Sequence, residues 1–213
     1  MKITALPPQK HDPDRLSVFV DGEFRMGLSA EIALAAGLRV GQAVDEAGLL
    51  ELERRDRGWQ AREAALRLLA VRPRSAAELV RRLRMKGYEP EIGEEVVARL
   101  RELGMIDDAA FASMVVRDRV RLRPQGARRL ASELWAKGVD EETARTAIRE
   151  TMAGEDTDER ELARRAAEKW TPRPGEEPAR ARRRLHGFLA RRGFDDDVIR
   201  EVLDEAAPDD ADE

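Results

Sequence analysis

Leu79-Val-Arg-Arg-Leu83-Arg-Met-Lys-Gly87-Tyr88 is the stretch that decides the fold. Two leucines four residues apart share one helical face, and the glycine four further on ends the helix. The same frame returns as Leu130, Leu134 and Gly138, and again as Leu185, Leu189 and Gly193. In each copy the residue after the glycine is apolar: Tyr88, Val139 and Phe194. That position folds back onto the last turn of a glycine-capped helix. Nine and ten residues past the glycine come Val96-Val97, Ala147-Ile148 and Val202-Leu203. Copies spaced by 51 and 55 residues make an internal repeat, so the chain is modular.

Working outward from these frames, three helices are expected in each copy. In the first repeat (59–104), Ala64, Ala65, Leu68 and Leu69 mark an apolar stripe beginning near Trp59, and Pro73 follows its end. Ser75-Ala-Ala-Glu78 is a capping box for the leucine helix. Pro90 suits the first turn of a third helix with Ile92, Val96, Val97 and Leu100 inside, closed by Gly104. The second repeat (105–153) opens with Asp107 or Asp108 as a cap for Phe111, Met114 and Val115. It continues through Arg117–Arg123 to Leu130 and Leu134, and Asp140 caps its last helix. A polar stretch, 153–159, is expected as a hinge before the third repeat (158–206), which carries Leu162, Ala166 and Trp170, a proline-rich loop, and helices around 182–192 and 198–203.

Residues 1–58 differ from the repeats. Leu16–Val20 and Glu23–Leu28 flank Asp21-Gly22, a two-residue hairpin turn. Lys2–Leu6 adds a third strand ended by Pro7-Pro8, and Ser29 caps a short helix, 30–36, stopped by Gly37. This is a small β-rich extension ahead of the repeats, with Arg54–Gly58 as a charged junction. Residues 207–213 are acidic and expected to be an unstructured tail. The fold class is therefore mainly α: three tandem three-helix repeats with a β-rich N-terminal extension.

Composition narrows the function. Charged residues are 38% of the chain and aromatics only 4%, which fits thin helical layers better than one large core. Cysteine is absent, so disulfides, thiolate nucleophiles and zinc–cysteine sites are excluded together. No apolar run approaches the ~20 residues of a membrane span, and a cytoplasmic protein is expected. His11 and His186 have no ligand partners at metal spacing, Asp195-Asp196-Asp197 stands where a helix cap belongs, and no phosphate-binding glycine loop is present. No catalytic, cofactor or metal site is expected, and no enzyme.

The positive indication is binding. Cations outnumber acids 10 to 7 in residues 59–104 and 9 to 8 in 105–150, and are outnumbered 12 to 18 in 151–213. Arg81, Arg82, Arg84 and Lys86 stand between the leucines of the first repeat. Arg117, Arg119, Arg121, Arg123, Arg128 and Arg129 follow in the second, and Arg182, Arg183, Arg191 and Arg192 in the third. A basic strip recurring along stacked repeats tracks a polyanion or an acidic groove. The plain alternative is a solvated surface of local Glu–Arg pairs.

The sequence also resembles a known family. Arg74–Tyr88 is similar to the first-repeat signature of the RecX family, regulators of the RecA recombinase. Arg101-Glu-Leu-Gly-Met-Ile-Asp107-Asp108-Ala-Ala-Phe111-Ala112 resembles the stretch leading into its second repeat; Gly126, Arg129, Leu130, Glu133, Leu134, Lys137 and Gly138 follow that repeat's pattern, and Arg191–Phe194 the third. The resemblance implies a curved, elongated monomer lying in the groove of a RecA–DNA filament, inhibiting ATP hydrolysis and strand exchange, with single- or double-stranded DNA met weakly or through RecA. The rival reading is a helical-repeat protein that binds DNA directly, without RecA. Whichever holds, Leu83→Ala and Leu134→Ala remove core leucines and are expected to lose about 2–5 kcal/mol each, read by urea unfolding.

Overall fold

Asp21 and Gly22 both lie at positive φ, 50° and 90°, the conformation of a type I′ hairpin turn. They join β3 (Asp12–Val20) to β4 (Glu23–Ser29), and β1 (Ile3–Ala5) and β2 (Pro8–Gln9) pair antiparallel with β3 on its other side. Pro7 and Pro8 therefore interrupt the outer strand without ending it, as an edge position permits. The computed structural model describes residues 1–205; the acidic stretch 207–213 lies outside the described residues.

Ten helices follow: α1 (Ala30–Ala35), α2 (Glu46–Val71), α3 (Ala76–Met85), α4 (Pro90–Glu102), α5 (Asp108–Leu122), α6 (Ala127–Ala136), α7 (Glu141–Gly154), α8 (Glu159–Glu168), α9 (Pro178–Arg191) and α10 (Asp196–Glu205). Each repeat holds three of them: α2–α4, α5–α7 and α8–α10. The chain divides into two compact units, residues 1–73 with 79–105, and residues 74–78 with 106 onward.

In the first unit the expected junction at Arg54–Gly58 is absent. The helix α2 runs unbroken through it for 26 residues, from the Asp45 cap to Val71. Asp56, which sequence placed in a charged linker, is buried. Its carboxylate accepts from Arg15 Nη2, the Ser29 amide and Gln60 Nε2, each at 2.7 Å. A buried charge needs such partners, and Arg15 lies 41 residues away on β3, where helical periodicity has no reach. Val18, Val20 and Leu28 of the sheet pack with Ala33, Leu49 and Leu52, so one helix carries both the sheet and the first repeat.

The second unit has one core running from Phe111 to Leu203, with Leu130, Leu134, Leu162, Leu189 and Phe194 fully buried. The stretch expected as a hinge is a short turn. Asp156 takes the left-handed conformation (φ 48°), Thr157 N–H returns to the Met152 carbonyl at 3.1 Å, and Asp158 caps α8.

The three repeat glycines adopt one geometry, with φ 86°, 80° and 83° at Gly87, Gly138 and Gly193. The amides of Tyr88, Val139 and Phe194 return to the carbonyls of Leu83, Leu134 and Leu189 at 3.2, 3.0 and 3.4 Å. The glycine amides bond the carbonyls one residue later, completing a Schellman cap in each copy.

Two of the caps also receive another helix. A Cβ at Gly138 would lie 2.2 Å from the Ala77 Cβ, and one at Gly193 would lie 2.5 Å from the Arg129 amide. The N-terminus of α3 is thus seated on the C-terminus of α6, where Ser75 Oγ donates to the Lys137 carbonyl. The N-terminus of α6 is seated on the C-terminus of α9, where the Gly126 amide donates to the Arg192 carbonyl at 3.0 Å. Gly126 is needed there for space, since its Cβ would meet the Gly193 carbonyl oxygen at 2.2 Å. The first helical residue of the next repeat completes each joint: Asp108 of α5 accepts from the Ala76 amide (2.9 Å) and Glu159 of α8 from the Ala127 amide (3.1 Å).

At Gly87 a Cβ would meet nothing within 4 Å. Gly87→Ala is therefore expected to lose only the left-handed preference, about 1 kcal/mol. Gly138→Ala and Gly193→Ala must also part a helix joint and are expected to lose several times more, measured by urea unfolding of the three variants side by side.

A charge pair locks α5 to α6: Arg119 donates from Nε and Nη2 to both Glu133 oxygens, at 2.9 and 2.6 Å. The Arg119 guanidinium holds the Glu133 carboxyl below its ordinary value near 4.5. A lowered folded pKa gives stability that is present above the ordinary value and is lost as pH falls toward the folded one. Glu133→Gln is expected to lower stability at pH 7 and to flatten the acid limb of the stability curve below about pH 4.5, read by urea unfolding at pH 7 and 3.5.

Candidate functional site

Of the cations singled out in sequence, Arg81, Arg82 and Arg84 are exposed on α3 and Lys86 just after it, and Arg123, Arg129, Arg183 and Arg191 are exposed in the later repeats. The remaining six make the following contacts within the chain. Arg119 holds Glu133 as described. Arg121 grips both Glu155 oxygens at 2.8 Å, and Arg117 approaches the same carboxylate at 3.5 Å. Glu155 is consequently kept below its ordinary pKa, chiefly by its bonds to Arg121. Arg128 donates to the Phe194 carbonyl at 2.9 Å and pairs with Asp195 at 2.8 Å. Arg182 ties the end of α10 through Asp204 and the Leu203 carbonyl. Arg192 lies over the Phe188 ring, 4.3 Å from its centroid.

Counting back from the capping glycines refines the expected recurrence. The place six before the glycine reads Arg81, Ser132 and Gly187, and the place three before reads Arg84, Trp135 and Ala190. The place immediately before the glycine reads Lys86, Lys137 and Arg192. A cation there complements the negative end of its own helix, so this repeat-wide feature belongs to the cap. The exposed arginines of α3 are a property of the first repeat, and Arg183 and Arg191 of the third.

One feature escaped the sequence reading. Trp135 is 77% exposed on α6. It borders a groove of about 630 Å³ between α6 and α7, lined by Ala131, Val139, Ala144 and Ile148 and edged by Arg145 and Arg149. A tryptophan at that helical position looks like core from its neighbours' spacing. The periodicity in fact centres the buried face on Leu130 and Leu134, and Trp135 falls one position beyond it. Exposed tryptophan among arginines is the composition of a protein-binding hot spot.

Among the described residues no group of three His, Cys, Asp or Glu side chains is placed to hold a metal ion, and no helix is long and apolar enough to cross a membrane. What the surfaces offer is recognition: cations for an anionic partner and an apolar groove for a protein.

Comparison with known proteins matches most of the described length. Residues 1–45 match the regulatory protein RecX N-terminal domain, and residues 61–100, 107–148 and 157–203 match the first, second and third RecX three-helix domains. A regulatory protein RecX of Clostridium botulinum (strain Alaska E43 / Type E3) is 29% identical over 209 residues, covering 96% of each chain. That of Mycobacterium sp. (strain KMS) is 37% identical over 151 residues, 70% of this chain and 82% of the other. In Mycobacterium ulcerans (strain Agy99) the figure is 41% over 147 residues, 68% and 83% of the two chains. A crystal structure of regulatory protein RecX shares the fold with a TM-score of 0.74 at 22% identity, over 95% of this chain and 98% of that one. RecX from Lactobacillus salivarius follows with 0.61 at 23% identity, over 70% and 96%. With all four modules present in order, and relatives of this identity matched over most of their length, the chain belongs to the RecX family of regulatory proteins.

Proposed function

We propose that this chain is a non-enzymatic modulator of the RecA recombinase, a cytoplasmic monomer that occupies the groove of the RecA–DNA filament and suppresses ATP hydrolysis and strand exchange. The observation that carries the reading is the ordered set of four RecX modules. The surfaces support it. A filament of protein wound on nucleic acid presents both anionic backbone and protein side chains, and the chain has a match for each: exposed arginines on α3 and α9, and the Trp135 groove on α6 and α7. A groove-bound protein changes filament assembly only through unequal affinity for two filament states, so suppression requires the bound arrangement to differ from the hydrolysing one. The rival, direct DNA binding without RecA, calls for tight and steeply salt-dependent gel shifts by the chain alone.

The test is the protein added to RecA on single-stranded DNA with ATP, reading hydrolysis, strand exchange and filament length. Charge reversal of Arg81, Arg82 and Arg84 together is expected to weaken inhibition, with the urea midpoint measured beside it to separate lost contact from lost fold. Trp135→Ala is expected to weaken it at least about tenfold, the scale of an interface hot spot. Arg117 and Arg121 are better neutralised to glutamine, because reversal would set new carboxylates against Glu155. Inhibition unchanged in all three variants would remove these surfaces from the mechanism, and no effect of the wild-type chain on RecA would end the proposal.

A further inference from the structure

Beside the joint between α6 and α9 lies a cavity of about 440 Å³, lined by Arg123, Gln125, Lys169 and Arg192 together with the apolar Leu122 and Ala166. No carboxylate lines it. Among the described residues its three cations have no carboxylate partner, in a chain whose arginines are mostly paired. Two polar atoms at the cavity are buried without a hydrogen-bond partner: Arg192 Nε and Gln125 Oε1. An orphaned buried donor carries a desolvation penalty that an acceptor arriving in the cavity relieves. A half-turn of the Gln125 amide exchanges its oxygen for two more donors.

The plain account is that these cations face helix ends. Arg123, Lys169 and Arg192 are the C-cap residues of α5, α8 and α9. Each helix end carries about half a negative charge, so three ends offset roughly half of the three positive charges. Two of those ends are further satisfied from elsewhere, since the Arg192 carbonyl takes the Gly126 amide and the Arg121 carbonyl takes Arg165 Nη2. The cavity keeps an excess of positive charge that the fold does not consume. Its walls are also fixed: the Gly126–Gly193 contact leaves no room for a methyl group, so the turn bearing Gln125 cannot slide over α9.

We propose that this cavity is a seat for a phosphate group, filled in the working complex by a backbone phosphodiester of the nucleic acid. A phosphate offers acceptor oxygens to guanidinium forks, an ammonium and an amide at once. The chemistry rests on the cavity; the choice of nucleic acid as the source rests on the filament reading above.

The test uses the full chain and two probes. Inorganic phosphate is titrated against chloride at equal ionic strength, following the side-chain N–H resonances of Arg192 and Gln125 by NMR. A fluorescent oligothymidylate is titrated by anisotropy across a salt series. Arg123 and Lys169 are exposed, so the double variant R123Q/K169Q tests the seat with Arg192 left in place, and K10Q/R39Q, exposed in the N-terminal extension, is the charge-matched control. Expected are saturable, phosphate-specific shifts, weakened about fivefold or more in R123Q/K169Q only, and a salt slope for the oligonucleotide lowered by about 1 in that variant only. No shift, or the same shift with chloride, overturns the seat. Phosphate shifts with unchanged oligonucleotide binding overturn the backbone assignment in favour of free phosphate or a nucleotide. Both effects present, with wild-type protein leaving RecA hydrolysis unchanged, would sink the filament reading and leave the seat standing.

Discussion

The structure depends on one contact: a helix N-terminus pressed against a glycine in the left-handed conformation. Gly138 and Gly193 are required twice over, by their φ angles and by the 2.2 and 2.5 Å clearances that a Cβ would violate. The contact seats residues 74–78 on the end of α6 and the start of α6 on the end of α9, with positive helix starts meeting negative helix ends. It also settles an accounting problem. The first amides of a helix have no intrahelical acceptors, and at α3 and α6 they are met by Asp108, Glu159 and the Arg192 carbonyl, all from the following repeat. Burial raises the pKa of Glu159, the sign of a carboxylate withdrawn from water to serve as such a cap.

Arginine plays two parts in this chain, and composition cannot separate them. Arg15, Arg119, Arg121 and Arg128 are structural, each holding a carboxylate or carbonyl on another element. Such pairs, when solvent-exposed, add little stability individually. The planar fork still fixes geometry, which is what a layered array of thin helices needs. The recognition proposed above uses exposed cations on the face of α3 and on α9, and the cavity between helix ends.

What the sequence made legible follows from the range of each interaction. The leucine–glycine frame, the Asp21-Gly22 turn and the caps at Ser29, Asp107 and Asp140 are local, acting within six residues, and they appear in the structure at those residues. The continuity of α2 was hidden because Asp56 and its neighbours look like a solvated linker until Arg15 is brought to them from a distant strand. Trp135 was missed because its exposure is visible only once the buried face is located. Of the candidate surface, residue type was readable, whereas pairing was not. Nothing in the order of residues joins Arg119 to Glu133, 14 positions away, or gathers Arg123, Lys169 and Arg192 around one cavity.

The third repeat shows why the repeats are not identical. Its second helix, α9, has its first amides met from its own loop. There Glu177 caps the Ala179 and Arg180 amides itself, at 2.9 and 3.0 Å, and Pro178 at the first helical position removes one donor outright. The proline-rich loop thus supplies α9 with its own cap. In the first repeat a Cβ at Gly87 would meet nothing within 4 Å. Instead Arg57 of α2 donates to its carbonyl at 2.9 Å and lies 5.3 Å over the Tyr88 ring, while the Tyr88 hydroxyl bonds the Gln60 carbonyl at 3.2 Å. The first repeat is thus closed by the long helix that also carries the β-sheet, which gives the extension a structural reason to be joined to it.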